Sequence, residues 1–410
     1  MQLAPCVRQL QIVSWRCSDT PGVRHSSMHF RVRGALAACA FAACSSCEPV
    51  APGPRLLWHV HGHAGSGRPA LDSTTAYFVA QSDSHVVHAF DLATGKPRWS
   101  APTGAAGSYS LAGCLVAQQN VLCGDVSDLV AFARSDGHLV WRYRPSIGPN
   151  PGVIPGCLDS AQATLYAPTQ TGAVHAIDAS TGQSRWTAQL STANTALYRV
   201  SDGGDVVFAA FTDFSAAPNR GGVVALNTTD GSTRWLTTLP SPVDSNSGAK
   251  DVVTWGALVI ASLEDGRVVA LNRATGAVSW TLPGVGQYPA WQAPGGPVGL
   301  DYRALMVSEN YLFAASASGW IVVYDLGSHT EVWRGATNHA SIAGWGASRG
   351  LDRAYMTSTS GYVFTVPLNP PFSMSQFAAP GFGTTFLGAA TAANDRVLLG
   401  ADDGYYAFRR

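Results

Sequence analysis

The sequence predicts an all-β fold, an eight-bladed β-propeller of four-stranded antiparallel blades, and three observations carry that prediction. One motif recurs six times: AFDLATGKPRW, AFARSDGHLVW, AIDASTGQSRW, ALNTTDGSTRW, ALNRATGAVSW and VYDLGSHTEVW end at Trp99, Trp141, Trp186, Trp235, Trp280 and Trp333. Trp58 precedes the six, and from it onward successive motif tryptophans lie 41, 42, 45, 49, 45 and 53 residues apart, the spacing of a four-strand repeat unit. Between them, β-branched and apolar residues alternate with period two and are cut by Gly turns every 8–12 residues or so, the pattern of short antiparallel strands. The chain ends in strands that lack a fourth partner, and its first strand lacks a blade, so each completes the other.

Each unit opens with an apolar run such as Val252–Ser262 or Thr164–Ala167. Asp-Gly or Thr-Gly follows, then a Val-x-Ala-Leu type strand, a tight turn, and the Trp strand. Gly95, Gly137, Gly182, Gly231 and Gly276 end the turn before the Trp strand, where a positive φ is needed. After Trp333 the seventh unit is weaker, AYMTSTSGYVFTVPL, with Phe377 near the position of the Trp. The remaining segment, ending DDGYYAFRR, supplies three strands, and Leu56–His61 with Trp58 supplies the fourth. A chain cut after residue 43 leaves 367 residues, about 46 per blade for eight blades.

Composition bounds the function. The 410 residues carry 26 Lys+Arg against 26 Asp+Glu, and 43 Gly and 24 Pro. Zero net charge excludes the basic footprint of a nucleic-acid binder and an acidic disordered tail. Two of the cations are lysines, Lys96 and Lys250, and the rest are arginines, as codon bias in a GC-rich genome would give.

The N-terminus reads as an address. Arg31 and Arg33 precede a ten-residue small or apolar run, Gly34–Ala43, the length of a secretory h-region and too short to span a bilayer. Phe41-Ala42-Ala43-Cys44 has the form of a lipobox, so Cys44 is the expected lipidation site, with Cys39 and Cys47 as alternatives. Ser46 is not Asp, the pattern of outer-membrane sorting. Met28 is the expected true start. The domains expected are a leader at 1–43, a linker at 44–54 and the propeller at 55–410. No other stretch is apolar enough to cross a membrane, so the lipid is the one expected membrane attachment. Ordinary secretion after Ala43 is the alternative.

The six-copy motif resembles the PQQ-like repeat family, whose pattern Ala-x-Asp-x-x-Thr-Gly-x-x-x-Trp is matched throughout by Ala89–Trp99. The resemblance covers roughly residues 55 to 410. It implies that Trp58, Trp99, Trp141, Trp186, Trp235, Trp280 and Trp333 each dock on the next blade. A lipoprotein signal leading into such a propeller resembles the BamB family of outer-membrane lipoproteins. That resemblance implies a non-catalytic, monomeric scaffold without cofactor, facing the periplasm and binding an envelope protein, the subunit of the β-barrel assembly machinery among them. Leu197-Tyr198-Arg199 is similar to the family's Leu-x-Leu-Arg contact loop, whereas SPVDSNSGAKDVV departs from its acidic loop.

Other chemistries are less supported. A PQQ- and calcium-dependent dehydrogenase of the same repeat family needs vicinal cysteines, and the chain has none, nor a C-x-x-C-H haem motif. His59, His61 and His63 alternate and share a face if they lie on a strand, where imidazoles suit Zn or Cu. Gly62 interrupts that strand, which would be the outer edge of its blade where polar residues face water, and for calcium the densest acidic pair, Asp402-Asp403, reads as a turn, so no metal is expected. Cys114 and Cys123 flank AQQN in a hairpin, close enough for a disulfide in an exported protein, with Cys157 free and buried. No Gly-x-Ser-x-Gly elbow occurs, and no catalytic residue is expected. The long insertions Phe211–Gly222 and Thr281–Arg303 map to one face, opposite the Asp-x-x-Thr-Gly turns. They carry Phe211, Phe214, Arg220, Tyr288, Trp291, Tyr302 and Arg303, residue types enriched in binding hot spots. With Tyr198 and Arg199, all of these except Phe211 are the expected partner-binding residues.

Overall fold

The computed structural model describes residues 15–17, 47–49, 54–62, 67–80, 85–104, 113–125, 127–146, 152–190, 194–242, 245–282, 302–316, 319–337, 342–358, 361–378, 389–393 and 395–409. Two compact units divide the chain, Met1–Arg55 and Leu56–Arg410. In the first, Trp15–Cys17 pairs antiparallel with Cys47–Pro49. Met28, Cys39 and Cys44 lie outside the described residues. Among the described residues no helix is long and apolar enough to cross a membrane.

The second unit is the propeller, built of eight four-stranded sheets. Blades 1 to 8 begin at the inner strands Ala70–Leu71, Cys114–Ala117, Cys157–Leu158, Thr195–Asp202, Ala249–Trp255, Tyr302–Ser308, Ile342–Arg349 and Thr391–Ala393. Each inner strand touches the next, and blade 8 touches blade 1, which closes the ring. Closure is by strand exchange between the chain ends. The order in blade 8 is Arg55–His61, Gly404–Arg409, Arg396–Ala401, Thr391–Ala393, with the N-terminal strand outermost.

Burial explains the patterning. The middle strands, such as Thr75–Val79, Asp128–Ala133 and Thr164–Pro168, are buried along their whole length because a neighbouring blade covers each face. They therefore read as continuous apolar runs. Outer strands such as Pro97–Pro102 and Ser184–Gln189 face water at every position but a few, and the Trp is among those few.

The tryptophans lock blade to blade. The indole N–H of Trp58 donates to Leu92 O at 3.0 Å, Trp99 to Arg134 O at 3.1 Å, Trp141 to Ala179 O at 3.1 Å, Trp186 to Thr228 O at 2.9 Å and Trp235 to Arg273 O at 2.9 Å. Each acceptor belongs to the following blade. Each ring also lies on the turn glycine of that blade: a Cβ on Gly182 would sit 2.6 Å from Trp141, and the four equivalent glycines are as crowded. These glycines have φ between 70° and 77°, so both the backbone and the stacked ring demand Gly.

Trp280 departs from the pattern. The turn that receives it has His329 where the others have Gly, at φ 56°. The imidazole holds the indole off the turn, with ring centroids 4.9 Å apart, and the buried Trp280 Nε1 makes no hydrogen bond.

The Trp strands share a second device. Pairing of the third and outer strands shifts one residue before the Trp in six blades, as between Ala89 and Phe90. Such a bulge redirects the extra side chain. At that position Arg98 reaches Asp91 at 2.8 Å, Arg185 reaches Asp178 at 2.8 Å and Arg234 reaches Asn227 at 2.9 Å, each clamping its own turn.

Cys114 and Cys123 are directly opposed strand partners and form a disulfide. Cys157 is free and half-buried rather than fully buried, and burial pushes its thiol up to about 12, which makes it unreactive at neutral pH.

Blades 1 and 2 are joined by an ion pair that titrates. Asp72, 9% exposed, accepts from Arg134 Nη2 at 2.6 Å, Tyr77 Oη at 2.8 Å and the Thr74 and Thr75 amides. Burial pushes this carboxyl up, but the combined donors outweigh burial and hold it at about 2. A carboxyl depressed in the fold stabilises above its unfolded pKa and loses that contribution as pH falls through its folded pKa. Urea unfolding should therefore show stability falling between about pH 4 and pH 2, by about 1–2 kcal/mol from this group after allowance for solvent screening. Asp72→Asn, less stable at pH 7, should lose correspondingly less over that range.

Candidate binding face and central channel

The channel mouth at blades 4 to 6 is shaped by one repeated irregularity. The inner strands of these blades shift register between Leu197 and Arg199, between Ala249 and Asp251, and between Tyr302 and Ala304. The extra residues are Tyr198, Lys250 and Arg303. This corrects the sequence reading, which put Tyr198 and Arg199 in a surface loop and Tyr302 and Arg303 in an insertion. All four sit on inner strands, because the bulge breaks the alternation by which a strand is recognised. The insertion around Phe211–Gly222 is also shorter than expected, since Val206–Asp213 and Arg220–Asn227 pair across it down to Asp213 and Arg220.

Two of the bulged side chains meet. Lys250 Nζ stands over the Tyr198 ring at 4.4 Å from its centroid, and 6.0 Å from that of Phe214. Its charge is matched by Glu264 Oε1 at 2.7 Å, and the other Glu264 oxygen accepts the Gly248 amide at 3.2 Å. Aromatic faces attract a partly desolvated ammonium, which fixes the lysine in place. Phe214, 43% exposed, leads the loop that ends at the exposed Arg220. This loop joins the second and third strands of blade 4. It therefore lies at the opposite end of the blade from the Asp230–Ser232 turn, which joins the third and fourth.

Arg199 turns inward instead. Its Nε donates to Asp251 Oδ1 at 3.2 Å, and Asp251 Oδ2 accepts the Leu305 amide at 2.8 Å. The Asp251 carboxylate, 1% exposed, thus ties blades 4, 5 and 6. Across the channel Arg68, from the connection entering blade 1, donates to Ser348 Oγ of blade 7 at 3.2 Å. Ser348 Oγ also accepts the Ala392 amide of blade 8 at 2.9 Å. Burial lowers the Arg68 guanidinium to about 10, with Arg199 lowering it further and Asp251 opposing.

The residues expected from sequence are thus only partly brought together. Tyr198, Phe214 and Arg220 share the channel-mouth end of blade 4, and Arg199 lies beneath them in the ring contact. Tyr288 and Trp291 fall outside the described residues, as do the side chains of Tyr302 and Arg303. Lys250, Glu264, Asp251 and Arg68 were missed. Lys250 had a signal, as one of two lysines in a chain of arginines.

A ring of Trp-docked repeats, closed by strand exchange and carrying polar side chains around its channel mouth, defines the class of the PQQ-type β-propellers. The profile described as "Outer membrane protein assembly factor BamB" matches residues 49–282 and 127–366, and the chain belongs to that family. No curated protein matches its sequence significantly. Among solved structures it is similar to BamB from Moraxella catarrhalis, 23% identical over 75% of this chain and 84% of that one, with a TM-score of 0.56. It is also similar to the Saccharomyces cerevisiae protein Sqt1, 11% identical over 87% and 98%, with a TM-score of 0.67. The computationally designed Ika8 protein is 13% identical over 87% and 100%, with a TM-score of 0.64. At these identities the likeness is one of fold.

Proposed function

We propose that this chain is a non-catalytic, lipid-anchored scaffold of the cell envelope. In this reading it faces the periplasm from the outer membrane and binds the central subunit of the β-barrel assembly machinery. The observation that carries the proposal is the match of residues 49–366 to the BamB family. Cys44 would carry the lipid. The binding surface would be the channel-mouth end of blades 4 and 5, with Tyr198, Phe214, Arg220 and Lys250 in contact, and Tyr288, Trp291, Tyr302 and Arg303 would contribute to binding. Arg199 would support this surface through Asp251 rather than touch the partner.

Phe214 and Arg220 are exposed, of residue types that dominate interface energetics, and sit on a rigid blade. Replacing both with Ala should leave the unfolding midpoint unchanged. It should weaken binding to the purified barrel-assembly subunit by about tenfold or more, as interface calorimetry or biolayer interferometry would read. Ser232→Ala, on the opposite face, should bind as the unaltered protein does. Equal affinity for all three proteins, or none for the unaltered one, overturns the proposal.

A further inference from the structure

The ring closure brings together three groups from the two ends of the chain. His59 and His61 alternate on the N-terminal strand and so share a face, with ring centroids 3.6 Å apart. Asp403 stands in the turn between Arg396–Ala401 and Gly404–Arg409. Its Oδ2 lies 3.7 Å from His59 Nε2, and the three residues can each offer a ligand atom with all three atoms within 4.8 Å of one another. Among the described residues this is the one place where three such atoms converge.

We propose that His59, His61 and Asp403 form a binding site for a divalent transition-metal ion, best suited to Zn²⁺, that staples the N-terminal strand to blade 8. Two imidazoles and a carboxylate are a donor set of the kind that zinc takes, with ligand distances of about 2.0–2.2 Å. Tetrahedral geometry at those lengths puts ligand atoms about 3.3 Å apart. The 3.7 Å pair is near that already, and the exposed His61 side chain would have to turn to bring the wider contacts, all within 4.8 Å, to that distance. The fourth position would be held by water.

The surroundings hold the ligands in place. His59 stacks on Tyr406, with ring centroids 3.8 Å apart and planes 16° apart. Its buried Nε2 makes no hydrogen bond, which leaves that atom available as a ligand. Tyr406 Oη donates to Asp403 Oδ2 at 2.5 Å, the outer-shell contact that orients a ligating carboxylate. The Gly62 amide donates to Asp403 O at 3.2 Å and pins the end of the strand that carries His61. Gly404, at φ 145°, lets the turn approach: a Cβ there would meet Val60 O at 2.0 Å and His59 Nε2 at 3.2 Å. Gly62 does interrupt the strand, but beyond His61, so it does not separate the two histidines. His63 lies outside the described residues. Burial lowers the His59 pKa, which favours the neutral imidazole that binds metal.

The site joins the first strand of the propeller to its last, so metal bound there stabilises the closed ring. The test is calorimetric titration of the purified, chelator-treated protein with Zn²⁺, and its visible spectrum with Co²⁺. One site of micromolar affinity or better is expected, with the intense visible bands of tetrahedral cobalt. His61→Ala removes an exposed side chain and should fold unchanged, and His59→Phe keeps the stack on Tyr406. Both should weaken zinc binding about tenfold or more and lose the cobalt bands. The unaltered protein should gain roughly 4 °C in unfolding midpoint at zinc a hundred times its dissociation constant, and the variants should not. No zinc binding, or equal binding by both variants, overturns the proposal. Neither result bears on binding at blades 4 and 5.

Discussion

Trp141→Ala should destabilise the propeller by about 3–5 kcal/mol, the range for emptying a buried aromatic site. Trp141 is buried in one core cluster with Leu129 and Ala131 of its own blade and Leu165, Ala167 and Ile177 of blade 3. Its Nε1 donates to Ala179 O, and its ring covers Gly182. Truncation opens a cavity, removes that hydrogen bond and exposes the seam between blades. Trp141→Phe keeps most of the apolar contact and should cost less, by about the worth of one hydrogen bond and a small void. The comparison with Trp280→Ala isolates the docking geometry. Trp280 already lacks its hydrogen bond and is held off its turn by His329, so its truncation should cost about 1–2 kcal/mol less than that of Trp141. Urea unfolding followed by circular dichroism measures all three. Equal losses for Trp141→Ala and Trp280→Ala would show that the docking contact adds nothing beyond apolar burial.

The second large effect is expected at Asp128, whose carboxylate is fully buried. It is held by Arg142 Nη1 at 2.6 Å and by Arg144 at 2.6 and 2.8 Å, and Arg142 also donates to Thr103 O of blade 1. Burial pushes this carboxyl up, but the hydrogen bonds from Arg144 and Arg142 outweigh it and hold it below the usual range. The double variant Arg142→Ala/Arg144→Ala leaves a buried charge without a counter-ion and should cost about 3–5 kcal/mol at pH 7. The pH dependence should also change sign. In the unaltered protein the depressed carboxyl stabilises above its unfolded pKa, and that stability is lost as pH falls. In the double variant burial alone remains, the folded pKa rises above the unfolded one, and acidification through that range removes the penalty. Adding Asp128→Ala to the double variant should recover most of the loss at pH 7. A double variant as stable as the parent at pH 7, or with the parent's pH slope, would contradict this assignment.

Most of the fold was legible because its signals are local and repeated. The Trp and the turn Gly stand four residues apart in five of the six motifs, and each such Gly receives the Trp of the preceding blade. The closure was legible because each end of the chain lacked what the other had. The inner ring was not. Arg199 and Asp251 are 52 residues apart, and Asp251 and Leu305 are 54 apart, so no periodic signal joins them. The bulges at Tyr198, Lys250 and Arg303 shift the strand by one residue and make inner strands resemble loops. The cluster at His59, His61 and Asp403 was within reach. The expected closure already sets the N-terminal strand beside the Asp402-Asp403 turn, but the histidines and the turn are each weak signals alone, and only their juxtaposition makes a donor set.

We propose the channel-mouth end of blades 4 and 5 as the docking face for the β-barrel assembly machinery. The most direct measurement uses a photo-cross-linking residue at Phe214 in the intact protein in its host, and at Ser232 as the opposite-face control, followed by identification of the adducts from the membrane fraction. Adducts with the barrel-assembly subunit from position 214 and none from position 232 are the predicted result. Adducts from position 232 alone, or none with any assembly component from position 214, would contradict the account and leave a Trp-locked propeller with a different partner.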